Sequence, residues 1–213
     1  MRKFCLFFLF LCVNAIVAQD TISGKKLSFG KHCIRNVKET SLPFTGVCYS
    51  TFRFERNYDT YENGILNGKS VTFRRNGKKE SETEYKYGDR NGKEIRYNRK
   101  GEVRSISNYE NGLQSGLTTW YNRKGQKSTE VEYKNGLQNG KEIYFDYNSG
   151  NKLVETEYVD NKKSGKCFNY FSDGTISTSG QYLNDKKEGI WFDYDTQGKV
   201  ISEYKYSNGR IVK

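Results

Sequence analysis

From Tyr61 onward the chain sets larger apolar side chains at every second position over runs of about six residues, then breaks each run with polar, glycine-rich segments. Val71 and Phe73, Ile95 and Tyr97, Thr119 and Tyr121, Ile143 and Phe145, Phe168 and Tyr170, and Phe192 and Tyr194 all follow this rule, with mostly polar residues between them. A period of two predicts β-strands with one apolar face. The Asn-, Asp- and Gly-rich breaks predict hairpin turns between them.

The runs are copies of one another. Tyr61, Tyr85, Tyr109, Tyr133, Tyr158, Tyr182 and Tyr206 mark a period of 24 residues, with one unit of 25, so six full units occupy Tyr61 to Lys205. A glycine stands seven residues after each of the first six tyrosines, at Gly68, Gly92, Gly116, Gly140, Gly165 and Gly189. A second glycine series closes the first half of each unit, from Gly77 to Gly198, and the extra residue of the longer unit lies in DYNSG, just before Gly150. Both series read as turn glycines, and Asn161 and Asp185, which replace an earlier glycine, also tolerate left-handed backbone. The second strand of a unit ends on the repeat tyrosine, and period two places Glu84, Glu132 and Glu157 on the opposite, charged face. A lone hairpin is marginal in water, whereas stacked hairpins support one another as a nearest-neighbour sum. The expected fold is all-β: an elongated single-layer antiparallel sheet of stacked β-hairpin repeats, about 24 residues each.

The pattern Y-x-N-G-x-x-x-G-K-x-x-x-[YF]-x-x-x-G, seen in YENGILNGKSVTF from Tyr61 and YKNGLQNGKEIYF from Tyr133, resembles the MORN-repeat variant of bacterial YwqK-type proteins, commonly labelled toxin–antitoxin antitoxins. The resemblance covers about three quarters of the chain. It implies a twisted antiparallel sheet of hairpins, implies no catalytic site, and is associated with scaffolding or membrane-proximal interaction. LPFTGVCYSTF, from Leu42 to Phe52, resembles the opening of such arrays. Residues 44–60 are accordingly expected to form a degenerate capping repeat and residues 206–213 a partial closing one.

Before the repeats, Arg2 and Lys3 precede an apolar run from Phe4 to Val17 and a small residue, Ala18. These are the three regions of a secretory signal peptide, residues 1–18, followed by an N-terminal segment, residues 19–43. The run is too short for a comfortable membrane span, so no transmembrane segment is expected after cleavage. Export to the periplasm, cell surface or medium follows. Loss of Arg2 and Lys3 lowers the formal charge from +11 to +9, which leaves a basic chain suited to acidic partners. A mean hydropathy of −0.90 with 15% aromatic residues suits thin β-structure better than a thick core. Of the cysteines beyond the signal, Cys33 and Cys48 could bridge, leaving Cys167 free; spacing alone leaves that open.

Candidate chemistry is sparse. His32 stands alone beside Cys33, without triad partners or a ligand set for a metal. Glu84, Glu132 and Glu157 recur with the period and read as a solvated ladder facing lysines rather than as an acid/base pair. No unit spells a phosphate loop, so no cofactor is expected, and export makes nucleic acid an unsuitable partner. Two features exceed the repeat. The loops of the first three units are basic, with Arg74, Arg75, Arg99, Lys100, Arg123 and Lys124, while the next three carry Asp146, Asp173 and Asp195. Such a strip either protects an edge or docks an anionic partner. Trp120, Tyr144 and Trp191, together with Tyr147, replace polar residues of other units and read either as a contact surface or as local packing. The functional expectation is an exported, non-enzymatic scaffold that binds a protein or an anionic envelope component; the alternative is an antitoxin or immunity protein that neutralises a cognate toxin.

Overall fold

The computed structural model describes residues 21–23, 25, 27–29, 35–38, 40–52 and 55–212. The signal segment, His32 and Cys33 lie outside the described residues. Cys48 and Cys167 are buried free thiols.

The strands, in chain order, are β1 (Thr21–Ser23), β2 (Leu27–Phe29), β3 (Arg35–Val37), β4 (Gly46–Phe52), β5 (Glu55–Glu62), β6 (Ile65–Phe73), β7 (Lys79–Lys86), β8 (Asp89–Tyr97), β9 (Val103–Glu110) and β10 (Leu113–Gln114). They continue as β11 (Gly116–Tyr121), β12 (Lys127–Lys134), β13 (Leu137–Phe145), β14 (Lys152–Val159), β15 (Lys162–Tyr170), β16 (Ile176–Leu183), β17 (Lys186–Tyr194), β18 (Val200–Ser207) and β19 (Arg210–Val212). From β4 to β19 each strand pairs antiparallel with its chain neighbour in one open sheet, β10 and β11 both lying against β9. The fold is the all-β hairpin sheet that the alternation predicts. At its N-terminal edge β1 joins β4 in parallel, which no repeat signals, and β2 and β3 form a separate pair. Phe44 and Cys48 are buried there beside Val37 and Tyr61. Among the described residues no helix is long and apolar enough to cross a membrane.

Two kinds of turn join the strands. Tight two-residue turns between units have both residues at positive φ, as at Asn111 (49°) and Gly112 (82°) or Asn184 (48°) and Asp185 (67°). This is the geometry whose twist suits a hairpin. Each tight turn also seats against the preceding unit's first strand. Gly88, Gly112, Gly136 and Gly209 donate their N–H groups to the carbonyls of Leu66, Arg90, Gln114 and Lys187 at 2.8 to 2.9 Å.

The first glycine series does not form turns. It lies inside strands, where the ladder slips: Asp59 pairs with Ser70 and Tyr61 with Leu66, so Asn67, Gly68 and Lys69 bulge opposite Thr60. The slip leaves the N–H after the glycine without a ladder partner, and the preceding unit supplies one. A Glu84 carboxylate oxygen accepts the N–H of Lys93 at 2.9 Å, Glu132 that of Lys141 at 2.9 Å, and Glu157 that of Lys166 at 2.7 Å. These glutamates face lysines as expected, Glu84 opposite Lys69 and Glu157 opposite Lys141, and stay accessible to solvent, but they also clamp the backbone. Their carboxylates lie so close over the glycine that a Cβ on Gly140 would stand 2.0 Å from Glu132 Oε2 and 2.8 Å from Glu132 Cβ, at a φ of +118°. In register on its other side, each glycine faces a repeat tyrosine: Gly68 and Tyr85, Gly92 and Tyr109, Gly140 and Tyr158. An aromatic beside a strand glycine supplies the contact its missing side chain cannot.

That register corrects the expectation of one apolar and one charged face. Opposed residues share a face, so the tyrosines share theirs with Ser70, Glu94, Thr118, Glu142, Cys167 and Trp191, while Val71, Phe73, Ile95 and Tyr97 point to the other. Both faces are mixed, and the buried residues are largely polar: Thr118 is fully buried, and Thr83, Glu94, Ser105, Ser107 and Thr156 nearly so. Hydrogen bonds carry their cost. On the tyrosine face Glu94 accepts from the Tyr109 hydroxyl and pairs with Arg96, while Arg90 lies 4.0 Å from the centre of the Tyr109 ring. On the other, Glu82 accepts from Tyr97 and from Lys79, and these two bonds hold its carboxyl below the usual range. Burial and the bond to Glu82 push the Tyr97 phenol up to about 12.

Two outcomes test the clamp. Gly125 has positive φ but open space around it, so G125A should cost about 1 kcal/mol and G140A about 3 kcal/mol or more by chemical denaturation. Equal costs would show that no clamp covers Gly140. Deleting residues 94–117 or 109–132 removes one period each, but only the first leaves every glutamate beside its own glycine. The second brings Asn108 to Gly140 and should be less stable by about 1.5 to 3 kcal/mol, the worth of a hydrogen bond to a charged group; indistinguishable melting would argue against the clamp.

Candidate functional site: the basic loop edge

The longer loops, between the two strands of each unit, follow one another along one edge. Side chains stitch them together: Lys78 Nζ donates to the Lys100 carbonyl at 2.7 Å, Lys124 Nζ to that of Tyr147 at 3.3 Å, and Asn151 Nδ2 to that of Ser172 at 2.9 Å. Inside each loop an Asn or Asp oxygen accepts the N–H two residues on. Asn98 takes it from Lys100 at 2.8 Å, Asn122 from Lys124 at 2.9 Å, Asp146 from Asn148 at 3.0 Å, Asp173 from Thr175 at 2.8 Å and Asp195 from Gln197 at 3.0 Å. Aspartate and asparagine thus do the same turn-closing work. Hydrogen bonds from Ser149 and Thr175 hold the Asp146 and Asp173 carboxyls below their ordinary range.

The basic residues divide into distinct roles. Arg74 pairs with Glu80 at 2.9 Å and donates to the Tyr97 carbonyl at 3.0 Å, which fixes its guanidinium. Together with Arg99 and Arg123 it lines a groove of about 520 Å³ that also includes Arg104, Tyr97, Tyr121 and the Glu80 carboxylate paired with Arg74. A smaller hollow of about 330 Å³ continues it onto the tyrosine face past Arg96 and Glu94. Lys124 instead lies 4.4 Å from the centre of the exposed Tyr147 ring and, with Arg123, edges an opening on the other face. Arg75 and Lys100 are exposed on the loops but do not line the groove. Arg99, Arg104 and Arg123 have no carboxylate at ion-pair distance among the described residues.

Arg104 is the residue that the repeat analysis passes over. Arg96 pairs with Ser105 and Tyr97 with Val103, which leaves Arg104 as the extra residue of a β-bulge. A bulge re-aims its side chain, and the equivalent residue in the first unit is Glu80. The available signal was a base at a position that other units fill with Glu80, Ser128, Leu153, Ser177 or Ile201.

The aromatic candidates separate too. Trp120 and Tyr144 lie on the tyrosine face in one row, each paired with Thr129, and Ser105 connects that row to Arg96. Tyr144 is 44% exposed, with its hydroxyl on Glu142, and Trp120 is half-buried. Trp191, by contrast, is 3% exposed. Its ring packs edge-on against Tyr182 and Tyr206 and covers Gly180, while its indole N–H donates to the Gln181 carbonyl at 3.2 Å. It is part of the core and unavailable as a contact surface. Among the described residues no group of three or more His, Cys, Asp or Glu is gathered to hold a metal ion.

Trp191 and Tyr144 should therefore respond differently to truncation. W191A is expected to cost about 3 to 5 kcal/mol, and Y144A less than about 1 kcal/mol, in thermal unfolding. Similar losses would contradict the assignment of one to the core and the other to the surface.

No family model matches the chain, and no curated protein matches it either.

Proposed function

We propose that this chain is an exported, non-enzymatic β-repeat scaffold of the MORN-variant kind that holds a protein or an anionic cell-envelope component against its basic loop edge. The observation that supports this reading is charge without a partner: Arg99, Arg104 and Arg123 have no acid at ion-pair distance, on an edge whose shape successive loops fix by direct hydrogen bonds. Uncompensated arginines on a rigid support cost little to present and bind carboxylate or phosphate through two parallel hydrogen bonds. The distal half of the edge, with Asp146, Asp173 and Asp195, gives the strip a direction, so an anionic partner is held at one end of the sheet.

The test is retention of the mature chain by its own envelope fraction. Replacing Arg99, Lys100 and Arg123 with glutamine, which leaves the Lys124 bond to the next loop in place, should leave the melting temperature unchanged and release the protein. Attachment of the unaltered chain should also fade toward about half-molar salt, where the screening length falls to about 4 Å. Retention that ignores both changes would refute a charge-based edge. A tight one-to-one protein partner, recovered at equal yield with the altered loops, would instead favour neutralisation of a cognate toxin.

A further inference from the structure

Building on that reading of the edge, we propose that the ligand is a linear acidic polysaccharide, its carboxylates held by Arg99, Arg104 and Arg123 and its sugar rings lying on Trp120 and Tyr144. Charge alone would fit any polyanion. Spacing and the aromatic row narrow the choice. Each unit advances the edge by two strands, about 9.5 Å, so the loop arginines Arg99 and Arg123 recur at that step, and so do Trp120 and Tyr144.

An extended acidic peptide presents same-side carboxylates about 6.7 Å apart, and duplex nucleic acid advances about 3.4 Å along its axis per phosphate of each strand. Neither keeps step with the units. A chain of alternating acidic and neutral pyranoses advances by close to one unit per disaccharide, placing one carboxylate at each loop. The arrangement across the sheet fits the same ligand. The groove opens onto the tyrosine face beside Arg96, and Ser105 connects Arg96 to Trp120 in the pairing register. The aromatic face receives the apolar flank of a sugar ring while the acid group turns toward the loop arginines, Arg96 itself being taken up by Glu94. Tyr144, exposed and braced by Glu142, offers the same surface one unit on.

Hyaluronan oligosaccharides, which alternate glucuronate with an N-acetylated sugar, are suitable probes for calorimetry with the whole mature chain. Affinity should rise with length until the oligosaccharide spans from the Arg99 loop to Tyr144 and change little beyond that. The triple variant R99Q/R104Q/R123Q should weaken binding about tenfold, the product of three exposed ion pairs. K162Q/K166Q/K199Q removes the same charge from exposed positions in the other half and should change it by less than about twofold. Y144A, which removes no charge, should also weaken binding, and it tests the proposal should the arginine triple fail to fold. Equal losses from the two triple variants, unaltered binding by Y144A, absence of a length dependence, or tighter binding of polyglutamate or oligothymidylate would each overturn the proposal. Failure on those grounds leaves the basic edge standing as a binding surface, because retention by the envelope fraction is measured without these sugars.

Discussion

In three of the six units a backbone amide beside the strand glycine is held by a glutamate of the preceding unit, and the local geometry of those units depends on that bond. The bulge around each first-series glycine removes a pairing position, and an unpaired amide against a strand is costly. Where the preceding strand carries a glutamate, a carboxylate stands in for the missing carbonyl, and the glycine is obligatory because that carboxylate occupies the place of its Cβ. Where the glutamate is absent, the neighbourhood changes with it. Asn108 donates to the Leu117 carbonyl rather than accepting, and Gln181 lies beside Gly189, with Ile190 where a lysine stands in the clamped units. In the first unit Thr60 takes the glutamate's place beside Gly68 and donates its hydroxyl to the Lys69 carbonyl at 2.9 Å, so a lysine after the glycine goes with an acid in three units and with a threonine in this one, while an apolar residue goes with an amide.

The clamp explains how so thin and polar a chain holds together. Without a second layer to cover them, side chains on both faces have only their in-sheet neighbours. Threonines and serines in mid-sheet are buried by the long side chains around them, and buried acids such as Glu94 are retained because a tyrosine hydroxyl and an arginine satisfy them. Opposed pairs on neighbouring strands, rather than a central core, carry the packing.

The period, the hairpins and the loop edge were legible in the sequence because each is a local property. Alternation shows within a strand, and turn residues announce themselves. What was not legible is how one strand's parity relates to the next, since that is set by register, and a slip of one residue exchanges the faces. For that reason the alternating Phe and Tyr residues and the repeat tyrosines were expected on one side, whereas Tyr85 pairs with Gly68 and Phe73 points to the other. The same ignorance concealed Arg104, which a bulge turns into the groove, and left Trp191 undecided between contact surface and local packing. Trp191 is buried because Gly180 leaves room for its ring on the neighbouring strand, a relation between residues of different strands that periodicity within one strand does not report.

The seating of each tight turn on the strand before it bears on how the molecule is assembled. The bond from Gly112 to the Arg90 carbonyl joins a turn following β9 to β8, and it can close only after β8, β9 and the beginning of the next strand are in place. A solitary hairpin therefore gains none of these bonds, and the smallest self-supporting nucleus is three strands. Thereafter each added hairpin brings one further seat. Assembly so arranged is slow to start and quick to extend, and a nucleus formed anywhere in the array can grow toward both ends.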